Sequence, residues 1–198
     1  VFVYNSNELE TWVESVLKNI DTSKVTVIEA SEGITLLEGT HSHDEDEEDH
    51  EEHEEEHSHV YDPHVWLDPV LAKQEVETIS HSIIDHDKSN ADYYAKNTAD
   101  YTKKLNELNE AFSTELKNAQ SRKFVTQHTA FSYLAKEYDL EQVAISGISP
   151  DQEPTPKELK EIEDFVKSEK IEVIYTESSA SPKIAKTISS ATGAKLEV

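Results

Sequence analysis

Lys123-Phe124-Val125-Thr126-Gln127-His128 is a β-branched, apolar run that stops on a histidine, and comparable runs recur three times before the chain ends. Strands read at Phe124–Gln127, Val143–Ser146, Val173–Thr176 and Lys195–Val198, with helical patterns between them at about 130–138, 156–169 and 182–192. Strands that alternate with helices call for a parallel sheet, and its crossovers should be right-handed. Toward the start, Tyr101, Leu105, Leu108, Phe112 and Leu116 keep one stripe, which predicts a helix from near Asn90 that runs for nearly thirty residues. Asp68-Pro69 reads as an N-cap with proline at the first helical position. That helix should run to about Asp85.

The first residues repeat the alternation. Val1–Tyr4 reads as a strand, and Asn7 with Glu10 three residues on as a capping box. Leu9, Trp12, Val13, Val16, Leu17 and Ile20 mark a helix, and Val25–Ile28 a second strand. The predicted fold is therefore α/β, with two parallel-sheet lobes joined by a long helical link. Its divisions fall at 1–68 for a partial first lobe, 69–122 for the linking helices and 123–198 for the second lobe, itself incomplete at its end. The chain has no Met and opens on an apolar strand, an odd place for a natural terminus. It is expected to be a processed or trimmed piece of a longer protein.

Residues 41–59 break the pattern, with six His, eleven Asp or Glu and two Ser in nineteen positions. No apolar residue interrupts the tract, so it cannot contribute to a core and should form a mobile loop. The formal net charge of -24 argues against nucleic acid and anionic membrane as partners, since both are polyanions. It favours cations. There is no Cys, which removes thiolate metal sites and thiol nucleophiles and leaves imidazole and carboxylate, donors suited to zinc and its neighbours. No apolar run is long enough to span a membrane as a helix.

Ligands of an open parallel sheet sit beyond the carboxyl ends of its strands. That places His128, which ends one strand ahead of a helix, as a candidate metal ligand; a hydrogen-bonded structural histidine is the alternative. His64 lies between two Asp-Pro steps that stiffen its loop, and Asp62 and Asp68 could orient its ring. The alternative there is a surface loop with a half-buried Trp66. Glu177 closes its strand as His128 does, either as a further ligand or as a cap on the helix beginning near Ser181-Pro182. His81 and His86, at a polar helix end, read as solvated.

His53-Glu54-Glu55-Glu56-His57 matches the H-E-x-x-H pattern of zinc proteases. That motif needs a helix anchored by an apolar face, and here every neighbour is charged, so the match is discarded. His41, His43, His50, His53, His57 and His59 read instead as auxiliary low-affinity metal sites. Capture there costs ordering entropy, and the acids around them favour protonated imidazole, so protons compete with metal. A merely solubilising charge run, the alternative, has no need of His.

Asp62-Pro63-His64-Val65-Trp66-Leu67-Asp68-Pro69, Thr126-Gln127-His128-Thr129-Ala130-Phe131, Ile148-Ser149-Pro150 with Glu153-Pro154-Thr155, and Tyr175-Thr176-Glu177-Ser178-Ser179 resemble the zinc-specific solute-binding proteins of ABC importers. The resemblance is to the ZnuA/TroA-like family and its AdcA-like lipoproteins, and it covers essentially the whole chain. It implies two α/β lobes with one metal ion in the cleft between them, held by three His and one carboxylate. The second and third His map to His64 and His128, and a His rather than Glu at the latter favours zinc over manganese. Glu177 is not carried over as a ligand. The first His is expected ahead of Val1 and the acidic ligand beyond Val198, so this piece alone should bind zinc weakly. The resemblance further implies a monomeric, lipid-anchored parent on the extracellular face of the membrane, whose partners are a zinc ion and an ABC importer permease. No enzyme is expected. The rivals are a metal-buffering surface adhesin that relies on the tract, and a zinc hydrolase, for which the sequence singles out no general base.

Overall fold

The computed structural model describes residues 1–39 and 61–198; the tract histidines, and the loop expected at 41–59, lie outside them. Phe2–Tyr4 (β1) and Val27–Glu29 (β2) form a two-stranded parallel sheet, with Phe2 opposite Val27 and Tyr4 opposite Glu29. Between them the short helix α1 spans only Val13–Leu17. The predicted stripe from Leu9 to Ile20 is therefore helical in its centre alone. Val13 is fully buried, whereas Leu9 and Trp12 face solvent, and an amphipathic helix draws most of its stability from what its apolar face packs on. The Asn7–Glu10 capping box does not form. The Glu10 carboxylate instead turns back to accept the N–H groups of Asn5 and Ser6, and the Ser6 carbonyl closes the turn by accepting from Leu9 and Glu10.

Two long helices follow. Pro69–His86 (α2) starts as the sequence predicts, with Pro69 in its first turn and the Asp68 carboxylate accepting the Val70 N–H at 2.8 Å. Ala91–Lys117 (α3) packs against it after a turn in which Asp87 accepts from Asn90 and Tyr94. Thr98 on α3 donates to Ser80 on α2 at 2.6 Å. Among the described residues no helix is long and apolar enough to cross a membrane.

The second sheet has the order β4-β3-β5-β6, all parallel. Its strands are Lys123–His128 (β3), Glu141–Ser146 (β4), Val173–Tyr175 (β5) and Lys195–Glu197 (β6). Pro156–Ser168 (α5) and Lys183–Thr192 (α6) cover one face. Ile162 and Val166, one turn apart on α5, and Ala185 and Ile188 on α6 close over Val125, Ile145 and Ile174. This is the core of the second sheet, and helix-period and strand-period apolar positions meet there as the pattern requires. Thr155 and Glu158 form a reciprocal capping box at the start of α5. Gly193 ends α6 at φ 86, a left-handed conformation that glycine adopts without a Cβ clash. Ser132–Glu137 (α4) begins two residues later than the sequence suggested. The intervening backbone is committed elsewhere, Thr129 N–H to the Gly147 carbonyl and Ala130 N–H to that of His128.

Candidate metal centre

His64 and His128 come from separate parts of the chain and meet. His64 stands just before a 3-10 turn at Val65–Leu67 that leads into α2, and His128 is the last residue of β3. Both rings are buried. Their centroids are 5.2 Å apart at an interplanar angle of 63°, with Trp66 flanking His64 at 5.4 Å.

Each ring is held by a carboxylate. His64 Nδ1 lies 2.7 Å from Asp62 Oδ1, and the same oxygen accepts the His64 backbone N–H at 3.0 Å. Asp62 is 1% exposed. Burial pushes its carboxyl up, but hydrogen bonds from the His64 ring and backbone outweigh this and leave it below the usual carboxylate range. His128 Nδ1 is hydrogen-bonded to Glu177 Oε1. An ionised acceptor on Nδ1 holds the ring proton there and leaves the Nε2 lone pair for a metal. A carboxylate on Nδ1 favours the Nδ1–H tautomer in both imidazoles.

The supports extend outward. Gln127 Oε1 accepts the Glu177 N–H, and Gln127 Nε2 donates to the Ser181 carbonyl, both at 3.0 Å, so the loop after β5 is pinned beside β3. The His128 carbonyl accepts from Thr126 Oγ1 and Gln142 Nε2. On the other side the Tyr133 hydroxyl accepts the Leu37 N–H at 2.9 Å and donates to the Asp62 carbonyl at 2.5 Å. Burial pushes the Tyr133 phenol up to about 12, so it stays protonated.

Two of the alternatives open in the sequence do not occur. Asp68 does not touch the His64 ring; its carboxylate caps α2, where burial raises its pKa. Glu177 does not cap the helix after it, because α6 has no side-chain cap, and its carboxylate goes to the His128 ring. His81 and His86 are exposed as expected, with His86 meeting Thr26. Among the described residues no three ligating side chains converge as a ready-made cage, so the centre consists of two imidazoles and their carboxylate partners. Tyr133 and Gln127 went unnoticed in the sequence. Their contacts here span 50 to 96 residues, and local periodicity carries no trace of them.

Two parallel sheets, a pair of long helices and two carboxylate-held imidazoles side by side define an α/β protein with a candidate metal site. The chain belongs to the ZnuA family, zinc-uptake complex component A, periplasmic, whose profile matches residues 1–198. It is 49% identical over 198 residues to the high-affinity zinc uptake system protein ZnuA of Bacillus subtilis, covering all of this chain and 61% of that protein. It is 44% identical over 197 residues to the zinc-binding lipoprotein AdcA of Streptococcus pneumoniae, covering all of this chain and 39% of that one. Among solved structures it resembles the laminin-binding protein Lmb of Streptococcus agalactiae, described as bifunctional with adhesin and metal transporting activity. The TM-score is 0.83 and the identity 41%, over 100% of this chain and 68% of that chain. The chain thus spans about three fifths of the first of these relatives and two fifths of the second.

Proposed function

We propose that this chain is the zinc-holding part of an extracellular capture protein that hands its ion to an ABC-type importer. The observation that carries the reading is the facing pair His64 and His128, each with Nδ1 on a carboxylate. Such carboxylate–histidine pairs orient the ligand and raise its basicity, and a site free of thiolates suits a cargo that must later be released. The family membership and the zinc-binding relatives support zinc as that cargo. A closed tetrahedral site takes four donors. His64 and His128 supply two, and the remaining imidazole and carboxylate come from segments of the longer protein outside Val1–Val198.

In this reading residues 1–68 and 123–198 are parts of two lobes, 69–122 links them, and the ion sits where the lobes meet. The protein works as a monomer, anchored by lipid on the outer face of the membrane, as the lipoprotein relative suggests. The ion is cargo rather than a catalyst, a reading that the zinc-uptake and zinc-binding relatives support. The tract at 41–59 adds weak auxiliary sites. Its charge raises local cation concentration over about 8 Å at physiological salt.

A calorimetric zinc titration of this chain beside its His64→Ala and His128→Ala variants tests the reading. Each substitution should abolish the same single binding event while the weak, tract-dependent heat remains. An unchanged isotherm in either variant overturns it.

A further inference from the structure

We propose that Tyr133 is a positioning residue for the metal centre, gripping the His64 loop from the His128 side through its hydroxyl. It sits on α4, five residues after His128, and is 4% exposed. Its hydroxyl takes part in a closed ring of hydrogen bonds. The Leu37 N–H donates to the phenol oxygen, the phenol donates to the Asp62 carbonyl, and the Asp62 N–H donates back to the Leu37 carbonyl at 2.8 Å. Every polar group in the ring has its partner within the ring.

The ring matters because of what Asp62 does next. Its backbone is fixed by Tyr133 and Leu37, and its side chain then holds His64 Nδ1 and the His64 N–H on one oxygen. The second carboxylate oxygen is buried without a hydrogen-bond partner among the described residues, and the Ser132 side chain, next to Tyr133 on α4, adds to the groups that lower the Asp62 pKa. Glu38 and Tyr61 pair as an isolated antiparallel bridge just outside the ring. Tyr133 is therefore the link through which the element following His128 sets the place of the group that orients His64. The chain of contacts runs α4, Tyr133, Asp62, His64, and ends 5.2 Å from the ring of His128.

A phenylalanine at 133 keeps the ring's bulk and removes only the hydroxyl, leaving a part-buried N–H and a buried carbonyl unpaired. Asp62 then loses its anchor and His64 its fixed tautomer. Direct carboxylate partners of ligating His change metal affinity by about 10–100-fold. Tyr133 acts one bond further out, so a loss of about 3–10-fold follows.

This inference rests on the proposed metal centre, and the experiment separates the two. Nitrogen-15 spectra of the imidazoles are recorded on the metal-free chain, followed by zinc titration of the same samples. The variants are Tyr133→Phe and Tyr138→Phe; Tyr138 is a second buried tyrosine, whose hydroxyl meets Asn109 on α3, away from the centre. Tyr133→Phe should move His64 from a single Nδ1–H tautomer to a mixture, leave His128 unchanged, and weaken zinc by about 3–10-fold. Tyr138→Phe should destabilise the fold comparably yet alter neither spectrum nor affinity. An unaltered His64 tautomer in Tyr133→Phe, or equal changes in both variants, overturns the positioning role. The metal-free spectra decide this even if zinc proves to bind elsewhere.

Discussion

Replacing Glu75 by Gln should stabilise the protein at alkaline pH and leave it unchanged at acid pH. Glu75 lies on α2 and is 7% exposed. Its Oε1 accepts from Asn5 Nδ2 at 3.0 Å at the end of β1, while Asn5 Oδ1 is buried with no partner among the described residues. Burial pushes the carboxyl up to about 7; the Asn5 hydrogen bond opposes this and the nearby Glu10 charge adds to it. A protonated Glu75 can donate to the orphaned Asn5 oxygen, which an ionised one cannot do.

A carboxyl whose folded pKa is raised binds more protons native than unfolded, so stability is fully present below the unfolded value and is lost as pH rises through about 7. From a starting value of 4.5 to about 7, at about 1.4 kcal/mol per unit, the loss reaches at most about 3–4 kcal/mol by pH 8. Gln keeps the acceptor, supplies a permanent donor and never ionises. Urea unfolding at pH 4 and pH 8 gives the assay. The variant and wild type should agree at pH 4, and the variant should be the more stable by up to about 3–4 kcal/mol at pH 8. Taking the difference between the two proteins cancels the self-repulsion of a chain with net charge -24. An equal stability difference at both pH values refutes the argument.

Asp62→Ala should weaken zinc by about 10–100-fold, read by calorimetry. The same substitution tests a sign. The depressed Asp62 carboxyl contributes stability that is present above the unfolded value of about 3.9 and lost as pH falls through the lower folded value, so the variant's acid unfolding should be shallower. Ile174→Ala, at a fully buried core position between α5 and α6, should cost about 2–5 kcal/mol in urea unfolding without changing zinc stoichiometry. Thr155→Ala breaks the capping box of α5 and should cost about 1 kcal/mol by the same measurement.

The second sheet was readable because each of its signals is local. β-branched runs, helical stripes and the Asp68-Pro69 start depend on neighbours within a few residues, and β3 to β6 with α5 and α6 lie within a residue or two of where the pattern put them. The rule that ligands gather at strand ends selected His128 and Glu177 from position alone. What that rule left open was which atom meets which, and the Glu177–His128 contact spans 49 residues. Asp68 misled for a related reason. A carboxylate ahead of Pro69 can cap a helix or orient a ring, and the cap wins because its N–H donors are covalently adjacent. The shortening of α1 has the same origin, since amphipathicity shows which face seeks a partner and is silent on whether one is there. Tyr133 had no local signal at all.

His64 and His128 are proposed to hold one zinc ion between them through Nε2. A zinc-edge anomalous difference map from crystals of the zinc-loaded protein tests this most directly. The account predicts a peak about 2.0–2.1 Å from Nε2 of both rings, with both Nδ1 atoms still on Asp62 and Glu177. A peak bound to only one of the rings, or ligated through Nδ1 with the carboxylates displaced, would contradict it.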